Sequence, residues 1–226
     1  MRFVVAVACL VVACGRGRFD PLDRPGDGGQ PALVRPFVSH AGVSSSVDTF
    51  VAQAHTAGNA ILLHVGCDSS TVQTSVAVSA PNWTVMPIGP FITTGPKAAQ
   101  SFAAVAPDTM PATFTVTWST VCSDQEELGD EIAGPVTFDS HDGVSGTGTC
   151  TTSVNTARAN ALVWAGCSSA GTLLSVSTGY TKSVDDGRDD WTAFRATADP
   201  AGSTEVVSFS NTNARCIVTT VSVSAP

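Results

Sequence analysis

Apolar and polar residues alternate with a period of two along much of this chain. Between Thr113 and Trp118, Phe114, Val116 and Trp118 fall on one side and Thr113, Thr115 and Thr117 on the other. Successive side chains of a β-strand point to opposite faces, so this is the pattern of a strand with one face buried. Val206, Val207 and Phe209 repeat it more loosely. The same reading predicts strands near 47–55, 60–66, 72–78, 99–106, 113–120 and 125–133 in a first half. In a second half it predicts them near 149–156, 161–166, 173–176, 192–198, 204–209 and 216–223. Turn formers separate them: Ala57-Gly58-Asn59, Pro81-Asn82, Pro107-Asp108, Asp199-Pro200 and Ala201-Gly202. A dozen short strands with such turns predict an all-β fold, a two-sheet antiparallel sandwich with a jelly-roll-like arrangement.

The halves are related. TAGNAILLHVGCDSS from Thr56 aligns with TARANALVWAGCSSA from Thr156, and SFAAVAPDTMPATFTVTWS from Ser101 parallels AFRATADPAGSTEVVSFS from Ala193. Two matches in the same order predict a duplicated strand set. The folded domain is read as 37–226, with pseudo-repeat halves 37–145 and 146–226. Composition agrees, since only 13% of residues are charged and helix-building runs of Leu, Glu and Lys are missing.

Upstream, Arg2 precedes an uncharged run from Phe3 to Val12, a length that suits a signal peptide and is too short to span a bilayer. Val11-Val12-Ala13-Cys14 resembles a bacterial lipobox, the site cut by signal peptidase II after the cysteine is lipidated. The resemblance implies a lipoprotein signal peptide over 1–13, lipid attachment at Cys14 and export. The alternative is a plain secretory leader cut near Ala13, with Cys14 an ordinary thiol. Gly15, in place of an aspartate, implies by the same resemblance the outer membrane. Residues 14–36 read as the lipidated cysteine and a Gly/Pro/Arg/Asp-rich tether that cannot bury enough apolar surface to fold.

The formal net charge is −8, and removal of the leader takes away Arg2 alone, leaving 10 basic against 19 acidic side chains. That excess repels phosphate backbones and excludes nucleic acid as a partner. The expected partners are the membrane, through the anchor, and a surface glycan or protein.

Gly58-Asn59, Asn82-Trp83-Thr84, Ser101-Phe102, Thr113 to Trp118, Glu131 to Gly134, Gly179-Tyr180-Thr181 and Ile217 to Val223 follow one another in an order that resembles β-sandwich modules of secreted bacterial and phage structural proteins. The resemblance implies an adhesive or architectural domain and carries no catalytic signature.

Five cysteines lie beyond Cys14, so one of them lacks a partner within that set. The repeat suggests Cys67 with Cys122 and Cys167 with Cys216, leaving Cys150. A hairpin of 149–156 with 161–166 would instead bring Cys150 near Cys167. Without a C-x-x-C pair, structural bridges are expected rather than a metal centre.

Catalytic motifs are missing: Gly143-Val144-Ser145-Gly146-Thr147 fails as a nucleophile elbow, and His40, His55, His64 and His141 have no ligand spacing. His64 matches Trp164 in the repeat and reads as a packing position. Two acidic groups remain. Asp124, Glu126, Glu127, Asp130 and Glu131 alternate across both faces of one strand and read as solvated edge charges. As a carboxylate pair they would instead suggest a glycoside hydrolase. Asp185, Asp186, Asp189 and Asp190, followed by Trp191, would give Ca²⁺ its oxygen ligands beside a ring that can stack on a sugar. The bland reading is a solvated turn. The expectation is therefore a non-enzymatic surface role in adhesion, envelope architecture or partner binding, needing no cofactor, with a calcium-assisted carbohydrate-binding module as runner-up and a hydrolase third.

Overall fold

Strands dominate residues 30–226, the part of the chain that the computed structural model describes; the expected leader, Cys14 and the tether as far as residue 29 lie outside the described residues. In chain order the strands are β1 (Leu33–Ala41), β2 (Val47–Val51), β3 (Ala60–Asp68), β4 (Val76–Ser79), β5 (Val85–Thr94), β6 (Lys97–Val105) and β7 (Thr113–Trp118). They continue as β8 (Asp124–Ile132), β9 (Thr137–Asn155), β10 (Leu162–Ser169), β11 (Leu173–Val176), β12 (Thr181–Asp185), β13 (Trp191–Ala196) and β14 (Thr204–Ser224). All pairings are antiparallel.

In the first half, β1-β8-β3-β6-β5 form one sheet and β2-β7-β4 a smaller one facing it. The chain passes back and forth between the two, the wrapping of a jelly roll, with β5 added to the edge of the larger sheet. The second half repeats this strand for strand. The first part of β9 (137–147) pairs with the last part of β14 (215–224), and the last part of β9 (149–155) with the first part of β14 (204–210). β10 lies between β13 and the end of β14, β12 flanks β13, and β11 joins the start of β14. The expected all-β antiparallel sandwich is thus present as one jelly roll in each half. β9 runs unbroken through residues 145 and 146, the seam expected from the sequence, and its first part occupies the place of β1.

β14 was expected as two strands and is one, bent at Asn211–Ala214. Asn213 takes a left-handed backbone (φ 61°), and the Asn211 side chain accepts from Ala214 N–H and donates to its carbonyl. Opposite the bend, Gly148 (φ 78°) lets β9 turn with it. The strands absent from the sequence reading, β1, β5 and β12, are outer strands of the large sheets. β5 contains Pro87 and Pro90, and β1 contains Pro36. Proline removes a ladder donor and is tolerated where one side of a strand is free, at the cost of the register shifts seen in both.

Three apolar cores stack in line. One fills the first jelly roll around Phe37, Leu63, Phe102, Phe114 and Trp118; another fills the second around Val163, Tyr180, Phe209 and Val218. The third, with Leu62, Ile132, Leu162, Trp164 and Val221, joins the backs of the two large sheets. Each fully buried aliphatic or aromatic side chain contributes about 1.5–3 kcal/mol. β3 and β10 approach each other closely there. A Cβ on Gly166 would lie 2.4 Å from Cβ and Cγ of His64, and one on Gly66 2.2 Å from Ser168 Oγ.

Among the described residues the disulfides are Cys67–Cys122 and Cys150–Cys216, and Cys167 is a buried free thiol. The first is as the repeat suggests; the second corrects the Cys167–Cys216 pairing. In the ladder Cys167 faces Val218, while Cys216 faces Ser169, two residues away. Such diagonal neighbours stand about 7–8 Å apart, beyond the span of a disulfide. Cys150, on the facing sheet, has its Cα 6.1 Å from that of Cys216. The alternative hairpin does not form either, because β9 pairs with β14 and not with β10.

Candidate cation site at the seam between the jelly rolls

The acidic loop between β12 and β13 is shaped by its own carboxylates. Asp185 Oδ1 accepts from Gly187 N–H at 2.8 Å, while Asp186 Oδ1 accepts from Arg188 N–H at 2.9 Å and Asp190 N–H at 3.2 Å. Asx turns of this kind, with Gly187 at φ 80°, explain why an Asp/Gly run folds here. The loop reaches across the seam, for Arg188 Nη1 donates to Asp124 Oδ2 on β8 at 2.6 Å. Ser39 on β1 donates to the Asp185 carbonyl.

Oxygens of Asp186, Asp189 and Asp190 lie within 4.8 Å of one another. Asp190 is wholly buried; its Oδ1 accepts from Ser169 N–H at 2.7 Å and its Oδ2 has no partner among the described residues. Asp186 Oδ2 is likewise buried without a partner. The tip of the loop is solvated, with Asp185, Gly187 and Arg188 exposed and Asp186 and Asp189 half-buried, while its end at Asp190 is enclosed. Asp185 stands apart from the trio, paired with Lys182 at 2.7 Å. The Lys182 ammonium also covers the Trp191 ring, 4.3 Å from its centroid, and the ring packs against the second core. The face that would stack on a sugar is occupied.

Facing the trio from the first jelly roll are Asp68, Lys97, Asp124 and Glu126. Lys97 is buried, with its ammonium 3.2 Å from Asp68 and 3.8 Å from Glu126. Six carboxylates (Asp68, Asp124, Glu126, Asp186, Asp189, Asp190) thus surround two cations, Lys97 and Arg188. Burial pushes the Asp190 carboxyl up to about 8, and burial together with the Asp190 charge pushes Glu126 up as well. Burial disfavours the ammonium of Lys97, but Glu126, Asp190 and Asp68 outweigh it and hold the proton on. An excess of buried negative charge is offset either by bound protons or by a metal ion, and an all-oxygen set suits a hard cation such as Ca²⁺.

The β8 carboxylates are not solvated edge charges. β8 runs between β1 and β3, and Glu126, Glu127, Asp130 and Glu131 are each 2% exposed or less. Glu126 and Asp130 face the seam. Asp130 accepts from Trp164 Nε1 and Thr192 Oγ1, both at 2.7 Å, and from Ser183 Oγ. Burial raises its pKa against these three donors. Glu131, on the other face, accepts from Thr56 N–H, Asn59 Nδ2 and Arg35 Nε at 2.6–2.8 Å. Buried carboxylates committed to partners in this way have no access to a polysaccharide.

His64 is a packing residue, as its match to Trp164 suggests. It is fully buried, held by Thr219 Oγ1 at 2.8 Å and Ser168 Oγ at 3.0 Å. Burial, with Lys97 nearby, pushes it down to about 3, so it is neutral at any physiological pH.

Sequence reading found the acidic loop and, as a separate group, Asp124 and Glu126, but not that the two groups face each other, and it missed Asp68 on β3 and Lys97 on β6. The one signal was Lys97 itself, a lysine opening an apolar run. Comparisons of the chain with protein-family models, curated proteins and solved structures find no match.

Proposed function

We propose that this chain is an exported, lipid-anchored surface protein with a non-enzymatic role in adhesion or envelope architecture, and that a calcium ion held by Asp186, Asp189 and Asp190 clamps its two jelly rolls together. The observation that carries the clamp is the buried Asp190 Oδ2, unpartnered among the described residues and within reach of two further carboxylates, on a loop of the second jelly roll whose Arg188 pairs with Asp124 of the first. Export is supported by two disulfides, which persist in oxidising compartments, and by the signal-peptide pattern ahead of Cys14. A non-enzymatic role is supported by the burial of the β8 carboxylates and of His64. Lys182 over Trp191 favours protein or envelope partners above a sugar stacked on that ring.

Thermal unfolding of the full chain in calcium and in chelator tests the clamp. An ion at a hundred times its dissociation constant contributes about 2.7 kcal/mol, which for a body of this size raises Tm by roughly 5–11 °C. Asp190→Asn is expected to abolish the difference. Equal Tm in calcium and chelator would overturn the clamp. For the anchor, Cys14→Ser is expected to move the protein from the membrane to the soluble fraction.

A further inference from the structure

The first jelly roll carries a second convergence of side chains, far from the acidic loop in sequence. His40 on β1 and Glu127 on β8 are direct partners across the ladder and face the smaller sheet. Asp48 comes from β2 of that sheet, and one ligand atom from each residue lies within 4.8 Å of the other two. We propose that His40, Asp48 and Glu127 bind a borderline divalent transition ion of the Zn²⁺ class, with an open coordination position toward the cavity between β1 and β2.

Glu127 is fully buried, yet neither of its carboxylate oxygens has a hydrogen-bond partner among the described residues. A buried polar group in that state costs about 1–3 kcal/mol, and more when charged, unless something else satisfies it. His40 Nε2 and Asp48 Oδ2 are in contact at 2.8 Å, and neither atom is in a hydrogen bond of good geometry among the described residues. A divalent ion lodged among the three residues would draw these two atoms and the bare Glu127 oxygens to a common centre. Asp48 Oδ1 accepts from Thr49 N–H at 2.7 Å, which fixes the carboxylate with Oδ2 inward, the supporting contact that metal ligands need.

Charge and chemistry select the ion. Two carboxylates and a neutral imidazole balance a divalent cation, and an imidazole nitrogen suits Zn²⁺, Co²⁺ or Ni²⁺ better than Ca²⁺ or Mg²⁺. The two sites are therefore orthogonal, one all-oxygen and hard, the other mixed and borderline. Three protein ligands leave the fourth position of a tetrahedral ion free. Of the three residues, His40 also lines a cavity of about 240 Å³ between β1 and β2, with Phe37, Ser39, Thr49, Phe50 and Gln53, from which a water or small ligand would reach that position. His40, on the outer strand and 35% exposed, gives the ion its way in.

The test is titration of metal-stripped full chain with Zn²⁺ by calorimetry and with Co²⁺ by visible absorption, both in excess calcium so that the acidic loop is occupied. Expected are one ion per chain and a Co²⁺ spectrum of low coordination number. Affinity should fall about 100-fold or more in His40→Ala, Asp48→Asn and Glu127→Gln. It should be unchanged in His141→Ala and in Asp189→Asn/Asp190→Asn. His40→Ala decides the matter even if Glu127→Gln misfolds, since His40 is partly exposed, and circular dichroism checks each variant's fold. Absence of Zn²⁺ and Co²⁺ binding to the folded protein, or binding undiminished in His40→Ala, would overturn the proposal.

Discussion

Gly166→Ala puts the back-to-back packing of the jelly rolls to a direct test. The added Cβ would lie 2.4 Å from His64 Cβ and Cγ and 2.6 Å from Nδ1, where ordinary contact begins at 3.4 Å. His64 would have to retreat by on the order of 1 Å, more than its bonds to Thr219 and Ser168 tolerate. Overpacking costs about 1–3 kcal/mol, and each of the two hydrogen bonds about 0.5–1.5 kcal/mol. The sum is about 4 kcal/mol, or a Tm lower by roughly 8–16 °C, read by thermal and urea unfolding with disulfides intact. The clash includes the β-carbon of His64, so His64→Ala retains it and His64→Gly removes it. Adding Gly166→Ala should therefore destabilise the His64→Ala background and do little to the His64→Gly background. A loss below about 1 kcal/mol for Gly166→Ala alone, or equal effects in the two backgrounds, would refute the close approach of β3 and β10.

Glu131 should govern part of the acid sensitivity. Burial pushes its carboxyl up, but the bonds from Thr56, Asn59 and Arg35 outweigh that and hold it below the usual range. A depressed pKa gives stability that is present above the unfolded value near about 4.3 and is lost as pH falls through the folded one. Glu131→Gln should cost about 3 kcal/mol at pH 7, with the difference from the parent protein shrinking below about pH 4; a deficit constant with pH would contradict this. Peptide mapping should yield Cys67–Cys122 and Cys150–Cys216. Burial and the Asp190 charge hold the Cys167 thiol well above its usual range, so it should resist alkylation until the chain is unfolded. A Cys167–Cys216 peptide, or rapid labelling of native protein, would count against the arrangement.

Period-two alternation was enough to place β3, β6, β7 and the ends of β14, because those strands bury one or both faces and their side chains say so. It could not find β5, whose Pro87 and Pro90 are compatible with a strand only at the edge of a sheet. Nor did it find the first part of β9, where Gly143, Ser145 and Gly146 carry no apolar side chain to mark a strand and the ladder with β14 holds the backbone extended. The repeat carried the Cys67–Cys122 bridge but misled at Cys216, where a one-residue change of register alters which core neighbour a side chain meets. For the acidic loop, local sequence identified the carboxylates and suggested a solvated turn; the burial of Asp190 depends on Ser169 and on β8, more than fifty residues upstream. The carboxylates of β8 looked solvated because sequence cannot distinguish an edge strand from one enclosed between β1 and β3. His40, Asp48 and Glu127 had no spacing to betray them, since each lies on a different strand.

Terbium luminescence tests the calcium clamp most directly, because Tb³⁺ replaces Ca²⁺ at oxygen sites and emits when a neighbouring tryptophan is excited. Trp191 adjoins Asp190 in the chain and is the natural donor. Wild-type protein should give sensitised emission that calcium displaces. Emission should be lost in Asp189→Asn/Asp190→Asn, and also in Trp191→Phe, while calorimetry still finds the ion bound in the latter. No sensitised emission from the folded protein, or emission that survives removal of both carboxylates, would contradict a cation at the seam.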